Sequence, residues 1–258
     1  MNWVDTQFEH LSGLIQPEWH YADIGACVGE MTDLLCPEMK MGHLFEPSPF
    51  NYDFLSRKYP FLGKDRLIIN HAAVSDHDGI TNFSINLNDP AVGSIEGTLP
   101  ARVRENYFNP DRLRQMGLGD GPASFGGVYY REKIEPVKTI TLDTYFKDKR
   151  IDFIKVDAEG AEWDIFKGAK EIMSTRSIIF QVEFHWDEDW SRRSILRDLN
   201  YNIYTSRELM GGNKAQKAFV EEFFEPHSSS FRKLPHEAPQ PYQGIVAKED
   251  EAVIALLE

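Results

Sequence analysis

The sequence WHYADIGACVGEMTDLL, residues 19–35, passes from an apolar run into a glycine loop and then into a stretch with apolar residues at helical spacing. Trp19–Ile24 is predicted as the first β-strand, and Gly25 and Gly29 open the helix that follows through Leu35. Glycines at such a turn permit positive φ and let a ligand approach the backbone closely. This order of strand, loop and helix begins a βαβ unit and indicates an α/β fold.

The loop between that strand and helix, Asp23–Gly29, carries the sharpest chemical signal. Its spacing is Gly-x-x-x-Gly with an acid two residues before the first glycine, which departs from the Gly-x-Gly-x-x-Gly fingerprint that cradles the pyrophosphate of NAD. Asp23 would repel a pyrophosphate, but it can orient a cationic amino group. The loop therefore favours S-adenosylmethionine over NAD, with candidate contacts at Asp23, Gly25, Ala26 and Gly29. A tight turn whose glycines serve only packing is the alternative.

Further apolar runs alternate with helical stretches along the chain, as in the units of a parallel sheet. Besides the first strand, we predict strands over Gly42–Phe45, Leu67–Val74, Ile151–Val156, Ser177–Phe184, Tyr201–Tyr204 and Gln243–Ala247. We predict helices over Phe50–Tyr59, Leu142–Phe146 and Ala161–Met173. The expected fold is α/β: a doubly wound, mostly parallel seven-stranded sheet with a C-terminal antiparallel hairpin strand, in a single domain over residues 1–258.

A long insertion is expected after the third strand, over residues 88–135. The segment before it, Ile80–Leu87, alternates like a hairpin strand. The insertion has glycine clusters and no steady period, apart from one charged helical candidate at Pro110–Met116. Loops of this length are usually functional, so we expect an acceptor lid with glycine hinges between Gly117 and Gly127 and an aromatic surface. A surface excursion or an oligomer contact is the alternative.

The composition excludes several classes of protein. Hydrophobic residues make up 41% and charged residues 27%, which argues against collagen-like, coiled-coil and wholly disordered chains. Acidic residues number 41 and basic residues 28, and the net charge of −13 repels nucleic acids and anionic membranes, so we expect neither as a partner. Cys27 and Cys36 are too few for a disulfide framework. The opening MNWVDTQFEH lacks a targeting pattern, so we expect a cytoplasmic protein; its oligomeric state stays open.

Two segments downstream of the loop supply candidate contacts for a nucleoside. Glu46 ends the second strand, 17 residues past Gly29, about where a doubly wound fold places the carboxylate that accepts both ribose hydroxyls. An exposed acid before a proline turn is the alternative. After the third strand, the small residues of Ala72–Val74 leave room for adenine, and Ser75 or Asp76 can meet its exocyclic amine. An ordinary strand end explains that segment comparably well.

The second strong signal is KVDAEGAE, residues 155–162, where an apolar strand ends in three acids. Glu183 and His185 end the next strand. Neighbouring strands lie about 4.8 Å apart, so we expect one pocket to collect the catalytic candidates Asp157, Glu159, Glu183 and His185. A histidine held by carboxylates is a candidate general base, and Asp157 is also a candidate donor contact. Two alternatives stay open: the acids bind a divalent cation, or Asp157 and Glu159 only cap the next helix.

With these residues in view, the chain resembles the FkbM-type methyltransferase family over roughly Ala22–Phe184. The resemblance rests on DIGACVG at 23–29, FEP at 45–47, AVSD at 73–76, TLD at 141–143, IKVDAEGAE at 154–162 and KGA at 167–169. It implies the class I S-adenosylmethionine-dependent methyltransferase fold and O-methylation of a hydroxyl on a sugar, glycan or other small natural product. It also implies that the methyl donor is held by Asp23, Gly25, Gly29 and Glu46. A cofactor-binding protein without turnover and an NAD-dependent oxidoreductase are the alternatives.

Overall fold

The computed structural model describes residues 15–60, 66–86, 93–95, 124–125, 128–129, 132–185, 190–207, 209–210, 214–225, 230–235, 237–239, 241 and 243–249. The strands are β1 (His20–Ile24), β2 (Met41–Phe45), β3 (Leu67–Asn70), β4 (Ala73–Val74), β5 (Gly79–Asn86), β6 (Gly93–Ile95), β7 (Ser124–Phe125), β8 (Val128–Tyr129), β9 (Glu132–Ile140), β10 (Phe153–Val156), β11 (Ile179–Glu183), β12 (Tyr201–Thr205), β13 (Arg232–Lys233) and β14 (Gln243–Lys248). The helices are α1 (Glu30–Leu35), α2 (Pro49–Lys58), α3 (Leu142–Tyr145), α4 (Glu162–Lys167), α5 (Lys170–Thr175), α6 (Ser194–Asp198) and α7 (Lys214–Phe223), with a 3-10 turn at Trp190–Arg193.

The main sheet has the strand order β13-β12-β14-β11-β10-β1-β2-β3. Strand β1 pairs in parallel with β2 on one side and with β10 on the other, and β11 continues the parallel run beyond β10. Strand β14 is antiparallel to both β11 and β12. The predicted doubly wound, mostly parallel sheet with an antiparallel C-terminal strand is therefore present. The winding direction reverses between β1 and β10, and a doubly wound sheet binds its ligands at the carboxyl ends beside such a reversal.

The central strands form because their apolar runs are buried on both faces. Every residue of β10 and β11 is buried, as are the last four residues of β1. Covering both faces is what a parallel sheet requires, and continuous apolar runs such as FIKV and IFQVE meet that requirement. The predicted strand number of seven is one too low, since the two-residue β13 pairs with the edge of β12 and is too short to leave a hydrophobic pattern.

A second sheet, with strand order β4-β9-β5-β6, corrects the prediction for the region around the insertion. The predicted strand Leu67–Val74 is two strands, β3 in the main sheet and β4 in the second. Strand β5 covers most of the expected hairpin segment, but it pairs along its whole length with β9, some fifty residues later. Both ends of the predicted insertion therefore belong to this sheet. The helical candidate Pro110–Met116 and most of the predicted lid lie outside the described residues.

The helix predicted over Ala161–Met173 is also corrected, because it is interrupted at Gly168–Ala169 and forms α4 and α5. A Cβ at Gly168 would lie 2.2 Å from the carbonyl oxygen of Ser75, so the backbones touch at this point. The break exposes the N–H groups of Glu171 and Ile172, and both donate to the carboxylate of Asp143, at 3.0 and 2.8 Å. No helix of the described residues has the length and apolarity to cross a membrane.

Candidate functional site

A cavity of about 200 Å³ opens at the carboxyl ends of β1, β2 and β10, where the winding of the sheet reverses. Its wall combines the loop after β1, Glu46 after β2, the segment Ala72–Val74, and acids that follow β10 and end β11. The second sheet closes one side with the apolar side chains of Phe83 and Ile95. Predicted donor and acceptor residues from four strands therefore meet in one place.

Glu46 forms one end of the cavity and is buried. Its Oε2 accepts the backbone N–H of Cys27 at 2.8 Å, and its Oε1 accepts the N–H of Ser48 at 2.8 Å and the side-chain amide of Asn51 at 3.4 Å. Burial raises the pKa of Glu46 to about 7, although these donors act in the opposite direction. The alternative of an exposed acid is excluded, and the position at the end of β2 suits a contact with vicinal hydroxyls.

Packing within the protein requires glycine at positions 25 and 29, in addition to the predicted contact with a ligand. Both have positive φ, 71° and 80°. A Cβ at Gly25 would lie 1.9 Å from the carbonyl oxygen of Asp157, and one at Gly29 would lie 2.5 Å from the hydroxyl of Tyr59. Gly25 and Ala26 line the cavity, whereas Gly29 faces α2 and does not. The loop therefore packs against the chain after β10 at Gly25 and against α2 and Tyr59 at Gly29.

Asp23 lies behind the wall of the cavity, and its carboxylate is engaged within the protein. Oδ2 accepts the hydroxyl of Thr32 at 2.7 Å, and Oδ1 lies 3.2 Å from Nζ of Lys155. Lys155 also donates to the carbonyl of Gly25 at 2.9 Å and lies 3.4 Å from Oδ2 of Asp157. Burial alone would lower the pKa of Lys155, but the two carboxylates raise it above its ordinary value, so the side chain stays charged. This lysine joins the two signature loops.

Ser75 and Asp76 lie outside the cavity wall, which their small neighbours Ala72–Val74 form instead. The backbone of Ser75 packs against Gly168, and the carboxylate of Asp76 lies 2.8 Å from Nδ1 of His77. The small residues Ala72–Val74, where room for adenine was predicted, do line the cavity. Ser75 and Asp76, which were predicted to meet the adenine amine, do not line it.

The four predicted catalytic candidates do converge, with Glu162 as a fifth member. His185 is at their centre: Nδ1 lies 3.0 Å from Oε1 of Glu162, and Nε2 lies 3.3 Å from Oε1 of Glu183. Nε2 is also 3.9 Å from a carboxylate oxygen of Asp157 and of Glu159. Asp157, Glu159 and Glu183 line the cavity, whereas His185 lies behind them. The role of His185 as general base stays a prediction, and Glu162 contacts its ring from the α4 side.

Burial and mutual repulsion shift the proton equilibria of this cluster. Burial raises the pKa of Glu159 to about 7 and raises that of Asp157, although neighbouring cations oppose both shifts. For His185, burial would lower the pKa, but hydrogen bonds to Glu162 and Glu183 raise it well above its ordinary value. The imidazolium is thus favoured at rest, and it compensates part of the negative charge.

The same cluster contains atoms that could hold a divalent cation. One ligand atom each from Asp157, Glu183 and His185 lie within 4.8 Å of one another. Glu162 on the far ring nitrogen resembles the carboxylate–histidine pairs that orient metal ligands. A metal bound to Nε2 would have to displace the proton that this nitrogen carries in the imidazolium. The proton and the metal therefore compete for Nε2.

Sequence reasoning missed several residues of the site. Lys155 and Glu162 were visible inside KVDAEGAE, but their roles depend on partners 132 and 23 positions away in the chain. Phe83 and Ile95 come from the region around the insertion, where only the alternation of the Ile80–Leu87 segment indicated a buried face. Asn51, beside Glu46, had no signal of its own.

Comparisons with known proteins identify the family of the chain. A family model described as the Methyltransferase FkbM domain matches residues 23–203. Methyltransferase sdnD of Sordaria araneosa is 26% identical over 188 residues, which are 63% of this chain and 65% of that protein. The chain therefore spans less than two thirds of the curated relative it matches.

Two solved structures are also similar to the chain. Methyltransferase FkbM from Methylobacillus flagellatus has 18% identity and a TM-score of 0.45, over 74% of this chain and 41% of that one. An rRNA methylase from Streptococcus thermophilus has 9% identity and a TM-score of 0.43, over 97% and 98%. The strand order and register of the main sheet define the fold independently of these similarities.

Proposed function

The chain belongs to the family of FkbM-domain methyltransferases, and from that membership we propose that it transfers the methyl group of S-adenosylmethionine to a hydroxyl of a sugar, glycan or other small natural product. The observation that carries the proposal is a single cavity with the buried carboxylate of Glu46 at one end and the cavity-lining acids Asp157, Glu159 and Glu183 at the other. Such a cavity suits a ligand with a diol and a cationic centre.

The donor end fits S-adenosylmethionine by the chemistry of its groups. Glu46 is the proposed partner of the ribose hydroxyls, and Ala72–Val74 with Phe83 supply apolar contact for adenine. Gly25 and Ala26 bring backbone to the amino-acid portion. Asp23 acts one step back, since it fixes Lys155 and thereby the Gly25 carbonyl. Ser75 and Asp76 keep no direct contact in this proposal.

The acceptor end supplies a proton acceptor and a negative environment. S-adenosylmethionine, when bound, supplies an electrophilic methyl group on a cationic sulfonium. Glu159 is the proposed base: it lines the cavity, and its pKa of about 7 is near the range in which general bases work best. Its carboxylate would take the hydroxyl proton as the acceptor oxygen bonds to the methyl carbon; the bond between that carbon and the donor sulfur would break, and the sulfur would leave as a neutral thioether. Asp157 and Glu183 orient the acceptor, and His185 compensates charge behind them.

Calorimetric titration with S-adenosylmethionine and with NADH tests the donor assignment. We expect binding of S-adenosylmethionine, and a loss of at least tenfold in affinity for Glu46→Ala but not for Glu38→Ala, an exposed acid in the turn before β2. Tight binding of NADH without binding of S-adenosylmethionine would instead support the oxidoreductase alternative.

An acceptor screen with methyl-labelled S-adenosylmethionine tests the reaction. It covers free sugars, nucleotide sugars, oligosaccharides and hydroxylated natural products; the net charge of −13 argues against phosphate-rich polymers as acceptors. Glu159→Gln should lower the rate about 100-fold or more, the usual contribution of a general base, while donor affinity stays within threefold. The matched control is Asp164→Asn, because the carboxylate of Asp164 pairs with Lys167 and does not line the cavity. Donor binding without transfer to any class would favour the non-catalytic alternative.

A divalent cation is a second candidate component, because Asp157, Glu183 and His185 bring three ligand atoms together. Manganese binding to chelator-treated protein, followed by electron paramagnetic resonance, tests it. Saturable binding that Asp157→Asn and Glu183→Gln abolish would establish the site. If no manganese binds at millimolar concentration, the metal site is rejected, and the imidazolium of His185 is the cation of the cluster.

A further inference from the structure

From the contacts behind the acceptor end we infer that Glu162 is a positioning residue: it holds the imidazole of His185 by Nδ1 and so directs Nε2 toward the carboxylates of the cavity wall. This inference rests on the acceptor-end role proposed above. It concerns a residue that touches neither donor nor acceptor, since Glu162 is 1% exposed and does not line the cavity.

One carboxylate oxygen of Glu162 joins two parts of the acceptor end. Oε1 lies 3.0 Å from Nδ1 of His185, which follows β11, and it accepts the backbone N–H of Gly160 at 3.0 Å. Gly160 belongs to the turn that carries Asp157 and Glu159, so the turn and the histidine share one anchor. Glu159 and Gly160 both have positive φ, 49° and 102°, which the rest of the site must hold in place.

Glu162 and Glu183 contact opposite nitrogens of the same ring. The contact of Nδ1 with Glu162 is 3.0 Å, and that of Nε2 with Glu183 is 3.3 Å. The hydrogen bond at one nitrogen of an imidazole decides what the other nitrogen presents. Without Glu162, Nδ1–H loses this acceptor, and a neutral ring with its proton on Nε2, toward Glu183, becomes the favoured form. Glu162 therefore fixes the ring through Nδ1, and this contact keeps Nε2 directed toward the acids of the wall.

A simpler explanation is that Glu162 only caps α4, through its bond to the N–H of Gly160. Two substitutions separate the explanations. Glu162→Gln keeps an oxygen that can accept both N–H groups, whereas Glu162→Met keeps the volume and removes the acceptor. A capping role makes the state of His185 independent of both changes.

The test is long-range ¹H–¹⁵N correlation spectroscopy on protein labelled with ¹⁵N-histidine, with His185 assigned by His185→Gln. We expect a proton-bearing Nδ1 in the wild type, in Glu162→Gln and in the control Asp164→Asn. In Glu162→Met we expect the Nδ1 resonance to shift to that of a nitrogen without a proton. An Nδ1 resonance in Glu162→Met that matches the wild type overturns the inference.

If Glu162→Met does not fold, as judged by circular dichroism, the Nδ1 proton resonance of Glu162→Gln decides. An amide oxygen is a weaker acceptor than a carboxylate, so that resonance must move upfield by more than in Asp164→Asn. An unmoved resonance also overturns the inference. The spectra need neither donor nor acceptor. Failure to bind S-adenosylmethionine would therefore contradict the proposed function without deciding the role of Glu162. An unchanged Nδ1 resonance would overturn the role of Glu162 without contradicting the proposed function.

Discussion

At Gly25 the loop after β1 closely approaches the chain after β10. We predict that Gly25→Ala lowers the free energy of unfolding by about 3 kcal/mol or more, measured by urea denaturation. Two causes add: a non-glycine residue at φ 71° is strained by about 1–2 kcal/mol, and the new Cβ would lie 1.9 Å from the carbonyl oxygen of Asp157. Gly79→Ala is the control, since its Cβ would meet nothing closer than 3.7 Å. Equal losses in the two variants would contradict the close-approach argument.

Glu46 makes donor binding depend on pH. Its pKa of about 7 means that the carboxylate is largely protonated at pH 6 and largely ionised at pH 8. Because the ionised form is the better acceptor of ribose hydroxyls, we predict that the affinity for S-adenosylmethionine falls by up to about tenfold from pH 8 to pH 6. Calorimetry across this range measures it. Glu46→Gln should bind weakly with no such dependence, and a wild-type affinity that is flat with pH would contradict the role of Glu46.

At this scale the sequence predicts which residues gather but not which of them face the ligand. Asp157, Glu159 and Glu183 could be placed together because strand ends share an edge. Asp23, predicted as a donor contact, and His185, predicted with the acids, do not line the cavity. Their position depends on Lys155 and Glu162, buried partners that no local spacing reveals.

Strand β5 shows how one element serves both the core and the site. Phe83 is buried and lines the cavity, whereas Ile80 on the same strand is 75% exposed. We predict that Phe83→Ala lowers the free energy of unfolding by about 3–5 kcal/mol and weakens donor binding, while Ile80→Ala changes stability by less than about 0.5 kcal/mol. Urea denaturation and calorimetry measure the two effects. A loss of stability without any change in donor affinity would remove Phe83 from the proposed adenine contacts.

Elements with strong periodicity are predictable from the sequence, and elements whose ends depend on tertiary contact are not. The boundaries of the central strands β1, β2, β10 and β11 were predicted within one or two residues, because their apolar runs are continuous. The break between α4 and α5 was missed, since it arises where Gly168 touches Ser75 and where Asp143 caps the second helix. The TLD segment at 141–143 thus has a structural role in addition to its value for recognising the family.

For the whole molecule, the predicted lid remains a proposal about how acceptor specificity is built. We predict that deletion of residues 112–126, with a short Gly-Ser linker, leaves affinity for S-adenosylmethionine within threefold, because the donor contacts lie on β1, β2 and the second sheet. Methylation of the acceptor should collapse. Calorimetry and the labelled-methyl assay measure the two outcomes. An undiminished rate on the same acceptor would show that this segment is neither lid nor acceptor site.

The α/β class and the reversal of the sheet are predictable for the whole chain, because alternating strands and helices allow few other arrangements. The second sheet is not, since it pairs β5 with β9 across a segment of irregular composition. Pairing over such distances leaves no mark in a local window of sequence.

The pairing of β1 with β10 also has a consequence in time. His20 and Asp152, which bond at 2.8 Å beside this pair, are 132 positions apart. At about 5–20 residues per second, a ribosome needs roughly 7–26 s to make the intervening chain. Until β10 is made, the nascent β1 has at least one unpaired edge, of the kind that attracts other chains. We therefore expect the nascent chain to be prone to aggregation between synthesis of the first glycine loop and synthesis of β10.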